Sequence, residues 1–149
     1  RTNMVAKKKR SGKHAWQLEP RTYTLYIMTP DATGKSGLNW RLKEAQTDWD
    51  GPTSSKGPLR VYIGMTSRSL DARRREHENL AHRKESTCPV HKAMRKLGKS
   101  HKWHLVTWEK LTNTTYDEAR AHEKKLNEKL RNKAKYDRLQ VLNRRTLSC

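Results

Sequence analysis

Val61-Tyr62-Ile63-Gly64-Met65-Thr66-Ser67-Arg68-Ser69-Leu70 passes from strand to helix within ten residues. The run Leu59 to Gly64 is rich in β-branched and aromatic side chains and ends at a glycine, which predicts a short strand. A helix over about 69–82 follows it. In that helix Leu70, Arg73 or Arg74, His77 and Leu80 or Ala81 recur at the three-and-four spacing of a buried stripe. Arg73 and His77 therefore stand among apolar anchors. A cation there faces a cleft or a paired anion, because burying it alone is costly. The plainer alternative is an arginine snorkelling along a solvated helix.

Upstream, Thr22-Tyr23-Thr24-Leu25-Tyr26-Ile27-Met28-Thr29 alternates β-branched and aromatic residues and stops at Pro30-Asp31, a second strand pattern. Downstream, Trp103-His104-Leu105-Val106-Thr107-Trp108-Glu109 alternates in the same way, and helices are expected at about 90–98 and 116–131. Residues 30–58 hold four of the seven glycines and three of the five prolines, so they read as an inserted loop, with one or two helical turns in the short polar stretch between Trp40 and Trp49. Three short strands and at least three helices predict an α+β fold. Its sheet is small, central, three-stranded and largely antiparallel, flanked by helices, with the insertion between the first two strands. The domain spans 21–149 and follows a basic N-terminal arm, 1–20.

The 149 residues carry 34 Lys plus Arg against 15 Asp plus Glu, a formal net charge of +19. That length is about one domain and excludes a large α/β barrel. Only 32% of residues are hydrophobic and none is Phe, so the core leans on Leu, Ile, Val, Trp and Tyr. The excess charge draws polyanions, nucleic acid first and an acidic membrane surface second. No apolar run approaches the roughly 20 residues of a spanning helix, and no apolar block follows the basic start to make a signal peptide. No membrane partner is expected. Two cysteines, Cys88 and Cys149, do not make the disulfide framework of a small secreted domain, which fits a reducing, cytoplasmic compartment.

Thr115-Tyr116-Asp117-Glu118 has capping-box spacing, which gives Glu118 a structural task at a helix start. Glu123 has none of that kind. It shares one helix face with Ala119, Leu126 and Leu130, a carboxylate inside an apolar stripe. A carboxylate aimed at a cleft beside an arginine suits a hard divalent cation and a phosphate.

Val61-Tyr62-Ile63-Gly64, Thr66, Leu70, Arg73 and His77 together resemble the second half of the GIY-YIG nuclease signature. Leu25-Tyr26-Ile27-Met28-Thr29 looks like its first motif, with Thr24 where the family has glycine and Tyr23 as the rival tyrosine. His91-Lys92-Ala93-Met94-Arg95-Lys96-Leu97-Gly98 resembles the family's central helix, Glu123 stands in the place of its metal-binding glutamate, and Asn143 is similar to its late asparagine. The resemblance covers roughly residues 22–145, and the gap from Tyr26 to Tyr62 is much longer than in typical members.

The resemblance implies a divalent-metal-dependent endonuclease that hydrolyses DNA phosphodiesters with one Mg2+, or Mn2+ in its stead, and RNA is the other substrate to weigh. Glu123 would hold the ion, Arg73 would meet the scissile phosphate, and Tyr26 or Tyr62 would be the general base. His77 would orient the water or a tyrosine, or pass protons, and Asn143 would be structural. Restriction, homing, repair and an antibacterial toxin domain all use this scaffold. A restriction role implies a homodimer, and a toxin role implies delivery into a target cytoplasm and an acidic immunity protein or inhibitor. The rival of another class is a non-catalytic, basic nucleic-acid-binding module.

Phosphate contacts are expected from Lys7, Lys8, Lys9 and Arg10 on the arm, Arg74 beside Arg73, and Lys92, Arg95, Lys96 and Lys99 in a run without acids. Each of these groups also reads as a solvated face. Cys88, His91, His101 and His104 have paired spacings that suit zinc, although His91 already falls in the family helix. Trp108 is expected in the core, and Trp40 and Trp49 either contact DNA or pack the insertion down.

Overall fold

β1 (Arg21–Thr29) and β2 (Leu59–Thr66) are extended because their side chains alternate between two apolar layers, and the rest of the chain is arranged around that pair. The computed structural model describes residues 15–53, 57–83, 86–133 and 138–143. In chain order its elements are α1 (Ala15–Leu18), β1, α2 (Gly34–Glu44), β2, α3 (Leu70–Ala81), α4 (Pro89–Leu97), β3 (His104–Thr114), α5 (Tyr116–Lys133) and β4 (Leu139–Val141). Among the described residues, no helix is long and apolar enough to cross a membrane.

The fold is α+β, with helices on a four-stranded sheet of order β3-β1-β2-β4. β1 pairs antiparallel with β2 and β3, with Tyr26 opposite Gly64 and Thr107. The expected three-stranded sheet is corrected by β4, which lies parallel to β2 through Leu59 to Val61 and makes the sheet mixed. Three residues are too few to show a period, and the parallel pairing depends on the crossover through α5, which no local pattern reveals.

The layers differ in partner. Leu25 and Ile27 of β1 and Leu59, Val61 and Ile63 of β2 pack with Leu38 and Leu42 of α2 and with Ala119, Leu126 and Leu130 of α5. Tyr26, Met28 and Tyr62 form the other cluster, with Ala81 of α3, Val90 and Met94 of α4 and Trp103.

The insertion is also more ordered than a loop. It contains the 11-residue α2, whose Leu38 and Leu42 are core residues. Its ends are pinned by polar contacts. Asp31 takes a forked pair of bonds from Arg60 Nε and Nη2, at 3.0 and 2.7 Å, and Arg41 donates to the carbonyls of Asp31 and Gly57. Trp40 and Trp49 meet edge to face, and Trp40 stays exposed. The sequence predicts one or two helical turns in this segment, and the helix is longer, with Leu38 and Leu42 as its core anchors and Trp40 beside them.

Helix starts follow local chemistry. Ser69 Oγ accepts from the Ala72 amide and begins α3. At α5, Glu118 accepts from the Thr115 amide while Thr115 Oγ1 accepts from the Glu118 amide, the reciprocal box expected there. Asn143 pairs through its amide with both the N–H and the carbonyl of Ile63, at 2.9 and 2.8 Å, and extends the edge of β2 beyond β4. Arg131 links Asn127 to the Asn143 carbonyl, which ties α5 to that edge.

Candidate active site

Tyr26 lies on the layer opposite Tyr23, because the two are an odd number of residues apart on one strand. That separation decides between the two tyrosines. Tyr23 packs with Tyr116 of α5, whereas Tyr26 is fully buried under α3. The Tyr26 ring covers the backbone of Gly64, and any Cβ at Gly64 would collide with its ring and hydroxyl. The glycine is thus required for close approach of a side chain.

Four of the five expected catalytic residues converge here. Arg73 Nε donates to the Tyr26 hydroxyl at 3.2 Å, and His77 Nε2 lies 2.8 Å from the same oxygen. Tyr62 sets its ring edge-on to His77, with centroids 5.6 Å apart. Arg73 and His77 reach one oxygen because they are one helical turn apart on the buried stripe of α3.

Burial, above all, pushes the Tyr26 phenol well above its ordinary range, and the Arg73 charge only partly offsets this. His77 is pushed down to about 3, first by burial and then by the charge of Arg73. At neutral pH both groups are uncharged, and the site's positive charge sits on Arg73.

Glu123 approaches from the other layer. It is fully buried between Ala119 and Leu126 on α5, and its Oε1 accepts from Arg120 Nη1 at 2.9 Å. Its charge is one of those that raise the Tyr26 phenol. Arg120, which sequence reasoning passed over, lines a cleft of about 380 Å³ together with Arg73. That cleft covers the sheet end where β2 finishes and β1 begins, and Arg21, Arg68, Thr66 and Ser67 also line it. Glu76 on its wall pairs with Arg68 and Arg73. Arg120 could have been noticed as the residue three before a carboxylate on a helix.

Trp16 of α1 also lines the cleft, stacked edge to face on Tyr116, inside the segment read as the basic N-terminal arm. Lys7, Lys8, Lys9 and Arg10 lie outside the described residues. Arg74 pairs with Asp71, and Lys92, Lys96 and Lys99 are exposed. Arg95 is employed differently. Its guanidinium donates to the carbonyls of Ala81, Arg83 and Ser86 and so holds the end of α3 against α4.

Among the described residues, no group of three or more His, Cys, Asp or Glu could hold a metal ion. Cys88 is disulfide-bonded and His91 has both ring nitrogens in hydrogen bonds, to His77 and Ser86, so the zinc quartet is not assembled. The disulfide runs against the reducing compartment expected from the cysteine content. One carboxylate with cations around it does suit a hard ion that arrives with water and takes substrate phosphate oxygens as its other ligands. Glu123 is a buried carboxylate ion-paired with Arg120, and it is Arg120, not Glu123, that lines the cleft.

No protein-family model matches the chain, and neither a curated protein nor a solved structure matches it at a significant level.

Proposed function

We propose that the chain is a GIY-YIG-type endonuclease that hydrolyses DNA phosphodiesters with a divalent metal. The observation that carries this reading is the convergence of Arg73 and His77 on the Tyr26 hydroxyl beside an arginine-lined cleft. A phenol held between a cation and a neutral imidazole has no need of such a setting if its task is packing alone.

Each residue then has one task. Arg73 offers its guanidinium to the phosphate as negative charge grows on its oxygens, where a preorganised donor acts most strongly. To do so it exchanges Glu76 for the phosphate while its Nε stays on Tyr26. Arg21, Arg68 and Arg120 hold the strand in the cleft. Tyr26 takes the proton of the attacking water, and Tyr62 packs His77 in place. Bound at Glu123, Mg2+ or Mn2+ would polarise the phosphate and favour the ionised forms of water and phenol. Arg120 yields Glu123 and turns to the phosphate.

The test is cleavage of supercoiled plasmid by the wild type and by Glu123→Ala, in Mg2+ and in EDTA at fixed moderate salt. The reading expects nicked and linear products from the wild type in Mg2+ alone. Discrete fragments would assign a restriction-type role and a dimer, and a smear would assign a toxin-type DNase with an acidic inhibitor. Plasmid that is bound but intact in both Mg2+ and Mn2+ overturns the DNA reading. Cleavage of a structured RNA under the same conditions would then move the substrate to RNA, and its absence would leave a basic binding module.

A further inference from the structure

Behind His77 stands a second buried histidine that the reaction described above does not use. His77 Nδ1 lies 3.0 Å from His91 Nε2, and His91 Nδ1 lies 2.7 Å from Ser86 Oγ. With the Tyr26–His77 contact, these bonds form an unbroken file from the buried Tyr26 hydroxyl, which Arg73 separates from the cleft, to the segment between α3 and α4. His77 is 1% and His91 4% exposed, whereas Ser86 is half-buried, so the file leads outward.

The donors and acceptors constrain where the protons lie. Arg73 Nε can only donate, so the Tyr26 oxygen accepts from it and the phenolic O–H is left to point at His77 Nε2. A neutral imidazole carries a single N–H. His77 therefore holds its proton on Nδ1 and donates to His91 Nε2, and His91 holds its own on Nδ1 and donates to Ser86 Oγ. Neither ring readily takes a second proton. Burial, then the charge of Arg73, pushes His77 down to about 3, and burial, Arg73 and Arg95 push His91 down to about 4.

We propose that His91 is a positioning residue that sets the tautomer of His77 and forms, with Ser86, the exit path for the Tyr26 proton. The inference rests on Tyr26 acting as the base of the proposed nuclease. As the base is made ready, the Tyr26 O–H bond breaks and an N–H bond forms at His77 Nε2. The proton on His77 Nδ1 passes to His91 Nε2, and that on His91 Nδ1 passes to Ser86 Oγ, whose own proton leaves to solvent. Both rings change tautomer and neither becomes an imidazolium. The product is a Tyr26 phenolate held by two donors, Arg73 Nε–H and His77 Nε2–H, ready to take a proton from water. A lone His77 would have to keep that proton beside Arg73, and the second histidine removes the need.

Two measurements test it. Nitrogen-15 NMR of the histidine rings in the wild-type protein at neutral pH should show His77 and His91 both neutral and both protonated on Nδ1. An imidazolium at either ring, or a resting His77 protonated on Nε2, overturns the path, and this result does not depend on cleavage or on any variant folding. The second is plasmid cleavage by His91→Gln, whose side-chain oxygen can accept from His77 Nδ1 but whose amide cannot relay a proton. The expected result is an unchanged KM and a kcat lower by about a hundredfold, the lower end of what positioned proton transfer contributes. A His91→Gln protein that cleaves at the wild-type rate shows that His91 only fills space and overturns the proposal. If the wild type itself cleaves nothing, the function reading fails, while the NMR result still judges the proton arrangement.

Discussion

The two faces of the sheet are made by the same strands from alternate residues, yet they do opposite things. On one face Leu25, Ile27, Val61 and Ile63 pack with apolar side chains of α2 and α5, and Glu123 is the buried carboxylate of that layer. On the other, Tyr26 and Tyr62 meet His77, and behind His77 lies His91. Both faces are equally dry, so the contrast is not one of burial. The first face contributes stability through area removed from water. The second keeps polar groups in a place where hydrogen bonds are strong and unpaired partners costly, which makes it suited to chemistry and sensitive to single atoms. The cleft opens where the two faces meet at the sheet end, so Arg73 from one layer and Arg120 from the other reach the same space.

The comparison breaks most visibly at Arg73. Replacing it with Ala should lower kcat for plasmid cleavage by about 10²–10³, the size expected for a lost transition-state donor, with little change in DNA affinity. Arg73→Lys should rescue poorly, since an ammonium cannot hold the Tyr26 oxygen and a phosphate together. A near-normal rate in Arg73→Lys would deny the forked role. One residue away from Tyr26, on the apolar face, Ile27→Ala should do the reverse. Its stability should fall by about 2–5 kcal/mol in urea titrations while the folded fraction keeps its kcat.

The polar face should also set the acid limit of the fold. His77 and His91 titrate near 6.5 when exposed, and burial first, then nearby positive charge, pushes them down to about 3 and about 4. The unfolded chain therefore binds more protons below the ordinary histidine range, and stability is lost as pH falls. Between pH 7 and 5 the expected loss is about 2 kcal/mol per histidine, read from urea midpoints. His91→Gln should lose about half as much, and an unchanged pH dependence in that variant would contradict a buried, neutral His91.

The smallest effect belongs to the surface of α4. Lys96→Ala should weaken DNA binding slightly and lower the salt slope by about 1, leaving stability alone. Arg95→Ala, its neighbour, should instead lower stability, because three backbone carbonyls lose their donor. Equal effects of the two on the salt slope would place Arg95 on the phosphate surface after all.

The polar face was largely legible in the sequence because its signals are local. Tyr62 and Gly64 lie on a strand that runs two residues past the expected end at Gly64, and Arg73 and His77 follow one turn apart on the next helix, so spacing alone puts them together. Glu123 stood out as a carboxylate in an apolar stripe. What escaped depended on pairing across distance. β4 is three residues long and parallel, and α2 has Leu38 and Leu42 as its core anchors among glycines and polar residues. His91 was read as a zinc candidate or a helix residue, although its place beside Val90 and three before Met94 marks the buried face of α4. Its partner, 14 positions away, was not visible from spacing. Arg95 looked like one more lysine-like charge in a basic run, and only the fold reveals the carbonyls it serves.

The central claim is that the Tyr26 hydroxyl, held by Arg73 and His77, is the reacting centre and not a packing device. The most direct measurement compares wild type with Tyr26→Phe in plasmid cleavage with Mg2+, alongside circular dichroism and DNA binding of both. The account predicts a folded Tyr26→Phe protein that binds plasmid like the wild type and cleaves it slower by at least about a hundredfold. A folded Tyr26→Phe protein that cleaves as fast as the wild type would contradict it.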